Sequence, residues 1–112
     1  MKHIIAIVRP EKLDDVRRAL EKVGCSGLMI SEIQGHGKQK GIVQQWRGEK
    51  YKVDLIPKVK VEVVVKDSEL ATIKETIIEN ARTGEIGDGK MFISTVDEVV
   101  RIRTGEEGEV AL

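Results

Sequence analysis

The sequence predicts an α+β domain: one antiparallel sheet with two helices packed on one of its faces. Three observations carry this. Two β-branched runs stand out, Lys2–Arg9 and Val59–Lys66. In the second, Val59, Val61, Val63 and Val65 alternate with Lys60, Glu62, Val64 and Lys66, the period of two that a strand imposes on a half-buried surface. Each run is followed by apolar residues at helical spacing: Leu13, Val16, Leu20 and Val23 in one case, Leu70, Ile73, Ile77 and Ala81 in the other. The order strand–helix–strand thus occurs twice around a long loop, which is the split βαβ arrangement.

Each element follows from local chemistry. Lys2–Arg9 is too short and too β-branched for a helix, and Pro10 closes it. Glu11–Val23 reads as an amphipathic helix with Asp14, Asp15, Arg17, Arg18 and Glu21 turned away from the core, stopped at Gly24. Leu28–Ile33 offers the second strand, which ends at Gly35–His36–Gly37. Asp67 or Ser68 is placed to cap the second helix. Met91–Val96 and Glu98–Arg103 supply late extended segments, and the acidic, Gly-containing tail 104–112 is expected to fray. Two helices cover only one sheet face. Val63, Val64 and Val65 put apolar residues on both, so the uncovered face is expected to be buried between subunits.

Composition narrows the class. The chain, 112 residues, is one domain spanning 1–112. Its 19 Lys+Arg balance 19 Asp+Glu, which excludes a globally basic nucleic-acid binder. Phe, Trp and Tyr make up 3% of the residues, so platforms for stacking bases are scarce. No apolar run approaches a membrane span, and the opening MKHIIAIVRP is interrupted too soon for a signal peptide. A single cysteine, Cys25, rules out a disulfide framework, makes a reducing cytoplasm the default, and reads as a space-filler at a helix end. His3 and His36 have no second ligand at metal spacing.

Two segments invite a functional reading. Residues 36–56 show no sustained period of either kind. From His36 to Lys60 the charges are Lys38, Lys40, Arg47, Lys50, Lys52, Lys58 and Lys60 against Glu49 and Asp54, with Trp46 and Tyr51 embedded among them. Such a stretch is either a solvated surface loop or a recognition arm for an anionic ligand or a protein partner. The second segment is Thr83–Lys90. Gly84 to Lys90 fits the start of a G-x-x-x-x-G-K-[ST] phosphate loop, but Met91 replaces the metal-binding hydroxyl residue, and the segment runs from helix to strand, the reverse of that motif's setting. Taken alone it reads as a Gly-rich turn. Gly87 and Gly89 nonetheless allow successive N–H groups to form an anion nest beside the Lys90 charge. Arg101 and Arg103 project from one face of an extended segment, with Val100 and Ile102 on the other, and would complete a polyphosphate site if they converged with that nest.

Tyr51–Lys60, Thr83–Phe92 and Arg101–Gly105 together resemble the PII signal-transduction proteins, most closely the GlnK-type members associated with ammonium transporters, and the resemblance runs from Met1 to about Gly105. It implies a ferredoxin-like βαββαβ sandwich with a long loop between strands 2 and 3, assembled as a cytoplasmic homotrimer that its partner recruits reversibly to the inner face of the membrane. It implies ATP or ADP in the clefts between subunits, and 2-oxoglutarate bound together with Mg2+ and ATP. By position, the resemblance assigns nucleotide contacts to Gly87, Asp88, Gly89 and Lys90 of one subunit and to Arg101, Ile102 and Arg103 of its neighbour, completed by Met29, Gly37, Lys38, Gln39 and Val64. It assigns 2-oxoglutarate to Gly37, Lys38, Gln39, Lys40, Gly41, Lys58 and Gly87, with Gln39 also serving Mg2+. Trp46, Arg47 and Tyr51 become contacts to the target, and Tyr51 matches the position that some bacterial relatives uridylylate. This chain departs from the usual pattern at Met29, where many relatives have threonine, at Lys38, often arginine, and at Trp46.

Rival classes fare less well. A phosphoryl- or nucleotidyl-transfer enzyme would need a nucleophile–base pair, and none is evident: Asp88 is the only acidic residue between Gly87 and Lys90. A nucleic-acid module of the same fold would need aromatics on the sheet where valines stand. A regulator of nitrogenase or glutamine synthetase responding to ATP and ADP alone remains an alternative within the resemblance.

Overall fold

The computed structural model describes residues 1–36, 42–46, 49–53 and 55–112, with 36, 42–46 and 49–53 described as backbone. The elements are β1 (Lys2–Val8), α1 (Leu13–Lys22), β2 (Met29–His36), β3 (Ile42–Trp46), β4 (Glu49–Val53), β5 (Leu55–Val65), α2 (Leu70–Ala81) and β6 (Met91–Thr95). Strands β2, β5, β1 and β6 form one sheet in that order, every pair antiparallel. This is the α+β split βαβ fold that the element order predicts.

Pairing of Ile4 with Val63, Ala6 with Val61 and Val8 with Val59 sets one face of the central strands toward the helices. These residues are buried with Val16 and Leu20 of α1 and with Ile73, Ile77 and Ala81 of α2, while Leu13 and Leu70 pack against their margin. Each fully buried aliphatic side chain here stabilises the fold by about 1.5–3 kcal/mol relative to exposure. Cys25 fills this core, and burial raises its thiol pKa. Val23, the last residue of the expected stripe, is instead exposed. Helix α1 ends one residue earlier, with Gly24 at φ +80°, the Gly24 N–H donating to the Glu21 carbonyl at 3.0 Å and the Cys25 N–H to that of Leu20 at 2.9 Å. This closing turn carries Val23 off the core-facing stripe.

The other face of the sheet has no helix. Row by row it shows His3 beside Val64, Ile5 between Glu62 and Phe92, and Ile7 beside Lys60, with Met29 flanking Glu62. Phe92 and Met29 are more than half exposed. At its centre Glu62 accepts from Lys60 at 3.2 Å and pairs with the His3 Nε2 at 2.9 Å. These bonds, that of Lys60 first, hold the carboxyl below the usual carboxylate range.

Four expectations are corrected. Within 36–56, read from the sequence as a loop, the described residues form two strands: β3 and β4 pair from Ile42↔Val53 to Trp46↔Glu49 as a two-stranded sheet of their own, while the β2–β5 pairing ends at His36↔Leu55. Residues 42–53 carry no period of two in the sequence that would announce these strands. Glu98–Arg103 is not a strand. A single bridge joins Val100 to Glu107, and the chain turns between them, with the Arg101 N–H donating to the Glu106 carbonyl at 2.8 Å and the Gly105 N–H to that of Arg101 at 2.7 Å. The tail therefore folds back instead of fraying and ends in a short 3-10 turn, Glu109–Ala111. Neither Asp67 nor Ser68 caps α2. Asp67 accepts from the Met1 ammonium at 2.9 Å, and the Lys66 N–H at the start of the preceding 3-10 turn is satisfied by the Glu69 carboxylate. Among the described residues, no helix is long and apolar enough to cross a membrane.

Candidate functional site

The loop joining α2 to β6 is held from within and from below. Inside it, the Asp88 carboxylate accepts the Thr83 and Gly84 N–H groups, each at 2.8 Å, and the Thr83 hydroxyl. From just past the end of β1 it receives the Arg9 Nε–H at 3.0 Å. Four donors, the Thr83 hydroxyl foremost, keep this carboxyl far below its ordinary range, so it is ionised throughout the physiological span. Arg9 also donates from Nη2 to the Ile86 carbonyl at 2.9 Å, and Lys58 donates from Nζ to the Gly87 carbonyl.

Below the loop lies the edge of β1. The Ile7 N–H donates to the Lys90 carbonyl at 2.8 Å. Gly89, at φ +92°, sits so close that a Cβ would overlap the Ile7 carbonyl. Gly87 adopts φ +105°. Glycine at both positions lets the backbone turn left-handed and pass against β1, the condition for presenting successive N–H groups to an anion.

Lys58 is the only charged side chain buried among the described residues. Burial first, and the neighbouring Arg9 second, lower its pKa. A buried ammonium is costly without an anionic partner, which makes it a receptive point for a carboxylate or phosphate. Beside it opens a cleft of about 460 Å³ lined by Pro10, Glu32, Ile33, Gln34, Pro57 and Lys58. A smaller cavity of about 190 Å³ runs between β1, α2 and the loop, bordered by Ile7, Arg82, Asp88 and Lys90.

Of the residues singled out from the sequence, the structure brings Gly87, Asp88, Gly89 and Lys90 into one turn and sets Lys58 against Gly87. Met29 and Val64 lie on the uncovered face, away from that turn: Val64 is four residues along β5 from Lys60, which pairs with Ile7, a distance of about 13 Å. Arg101 and Arg103 are reached only after the chain leaves β6 at its far end, where the Val96 N–H bonds the Met1 carbonyl. There Arg101 donates to the Glu106 carboxylate at 2.8 Å and to the Val110 carbonyl at 2.9 Å. Because residues 101–105 form a turn, the alternation expected to aim both arginines from one strand face is absent, and Ile102 between them is fully exposed. Gly37, Lys38, Gln39, Lys40, Gly41 and Arg47 lie outside the described residues. Trp46 and Tyr51 are placed by register alone, opposite Glu49 and Gln44. Sequence reasoning missed Arg9, whose partners lie almost eighty residues away. It also gave no role to Thr83, although a hydroxyl and an aspartate flanking a glycine-rich turn are the usual materials for side-chain-to-backbone bonds.

Before any relative is considered, the described residues thus define a split βαβ fold that holds a left-handed glycine turn against β1 beside the buried Lys58. The family model "Nitrogen regulatory protein P-II" matches residues 1–106. The chain is 56% identical over 112 residues to Nitrogen regulatory protein P-II 2 of Methanothermobacter thermautotrophicus, covering all of this chain and 97% of that one. It is 53% identical to Nitrogen regulatory protein P-II 1 of Escherichia coli and to Nitrogen regulatory protein P-II of Klebsiella oxytoca, over the full length of each. The chain belongs to the P-II family of nitrogen regulatory proteins.

Proposed function

We propose that this P-II protein is a nucleotide-gated sensor. ATP or ADP places its phosphates on the Gly87–Lys90 turn, and 2-oxoglutarate binds at Lys58 and Gly87 when Mg2+ and ATP are present, with Gln39 serving the metal. The observation that carries this reading is the left-handed turn at Gly87 and Gly89 pressed onto β1, with Lys58 buried against it. It supplies backbone donors and two lysines for an anion, and a hydrogen bond joins it directly to β5, the strand that leads back from the 36–56 ribbon.

Within one chain the turn and the Arg101–Arg103 segment stand at opposite ends of β6. A site that used both would draw the arginines from a second copy, and the uncovered sheet face offers such a copy a place to pack. We therefore read the working unit as a homotrimer with its nucleotide sites between subunits. Output runs through the 36–56 ribbon, with Trp46, Arg47 and Tyr51 touching a target, for which an ammonium transporter is the proposed partner. An effector shifts a loop equilibrium only by its differential affinity for the two loop states. A coupling of about 1–3 kcal/mol would change partner affinity about 5- to 150-fold.

Calorimetric titration tests the reading. ATP is expected to bind alone, and 2-oxoglutarate only with saturating Mg2+ and ATP. Absence of ATP binding overturns the proposal. A second reading, a regulator answering to ATP and ADP alone, is favoured by one observation: the Lys58 ammonium already donates to the Gly87 carbonyl and would have to share or leave that bond to meet a dicarboxylate. Binding of ATP with no response to 2-oxoglutarate would select it.

A further inference from the structure

We propose that Arg9 is a positioning residue that aims the phosphate-binding turn, an inference that rests on the nucleotide reading above. Arg9 follows Val8, the last residue of β1, and Pro10 fixes the chain direction beyond it. Its side chain is 13% exposed, and its fork reaches both sides of Gly87: Nη2–H to the Ile86 carbonyl at 2.9 Å and Nε–H to the Asp88 carboxylate at 3.0 Å. A trans peptide unit is planar, with its N–H opposite its C=O. Holding the Ile86 carbonyl therefore sets the direction of the Gly87 N–H. Lys58, on the Gly87 carbonyl, does the same for the N–H of Asp88. Asp88 in turn spends its carboxylate on Thr83 and Gly84. Its charge thereby locks the loop from inside while its main chain is left to the turn. An unclamped Gly-rich turn would sample many backbone states and pay their entropy on each binding event. Lysine could keep the charge at position 9 but not the two-pronged grip.

The test is ATP affinity by calorimetry and the ligand-free thermal midpoint, measured on the full chain for Arg9→Gln, Arg9→Lys, Asp88→Asn and the double variant Arg9→Gln/Asp88→Asn. Arg9→Gln is expected to weaken ATP by about tenfold, the scale on which lost orienting partners weaken metal sites. Arg9→Lys should fall between it and the unaltered chain. The double variant should be no weaker than the worse single one, because both residues act through the same turn. An ATP affinity within about twofold of the unaltered chain, with only the thermal midpoint lowered, would make Arg9 a fold brace and overturn the inference while leaving the nucleotide reading intact. Strictly additive losses would mean that Arg9 meets the phosphates itself, which also overturns it. Absence of ATP binding in the unaltered chain would remove both readings together. Should Arg9→Gln fail to fold, Arg9→Lys and Asp88→Asn carry the same comparison.

Discussion

The two faces of the sheet are built from alternate residues of the same strands, yet they differ in almost every respect. On the helix side, Ile4, Ala6, Val8, Val59, Val61, Val63 and Val65 are all buried and all apolar. On the other side, Ile5, Ile7 and Val64 are half-buried and surround an ionic cluster of His3, Lys60 and Glu62. A core closed within one chain needs no charge and tolerates none. A face that holds apolar side chains around a satisfied carboxylate has the mixed character of an interface between chains. One period-two pattern thus encodes both a core and an uncovered face of mixed character, and the polar half of the alternation is as informative as the apolar half.

The largest expected effect separates the faces directly. Val61→Asp places an unpaired carboxylate where the side chain is 1% exposed and should unfold the domain, because such a charge costs several kcal/mol. Val64→Asp, three residues away but facing outward, should keep the far-ultraviolet circular dichroism of the native chain and lower its mass in solution. If Val64→Asp unfolds as completely as Val61→Asp, the contrast between the faces collapses. Next in size, Leu20→Ala in α1 should cost about 2–5 kcal/mol in denaturant unfolding, since the chain has few ways to refill that volume. The smallest effect concerns pH. The Glu62 pKa is lowered from its ordinary 4.5, so its pairing contributes to stability above that pH and is lost as pH falls through the lowered value. Glu62→Gln should flatten this acid limb of the stability profile while leaving the neutral region nearly unchanged. An acid limb identical in both proteins would show that the cluster contributes nothing through its charge.

The sequence makes the covered face legible because burial leaves a period. The stripe Leu70, Ile73, Ile77, Ala81 and the valine alternation of β5 follow directly from it. The ribbon β3–β4 is hidden for the converse reason: residues 42–53 show no period of two that would mark its strands. The turn at residues 101–105 is hidden because its strand-like residue types, Val100, Ile102 and the two arginines, are overridden by hydrogen bonds to Glu106 and Val110. At the candidate site, Gly87, Gly89 and Lys90 announce themselves by type and spacing. Arg9 does not, since its role exists only once β1 and the loop after α2 are side by side. Asp88 is visible, but its carboxylate faces inward, which only the structure reveals.

The separation of the glycine turn and the arginine segment along β6 has a thermodynamic consequence under the proposed reading. A site divided between two copies exists only while the copies are joined, so nucleotide affinity and subunit affinity become linked quantities. Dilution would weaken apparent ATP binding, and ATP would resist dissociation of the assembly. The same chain at low abundance would then report poorly on its ligand, which makes the amount of protein in the cell a second input to the sensor.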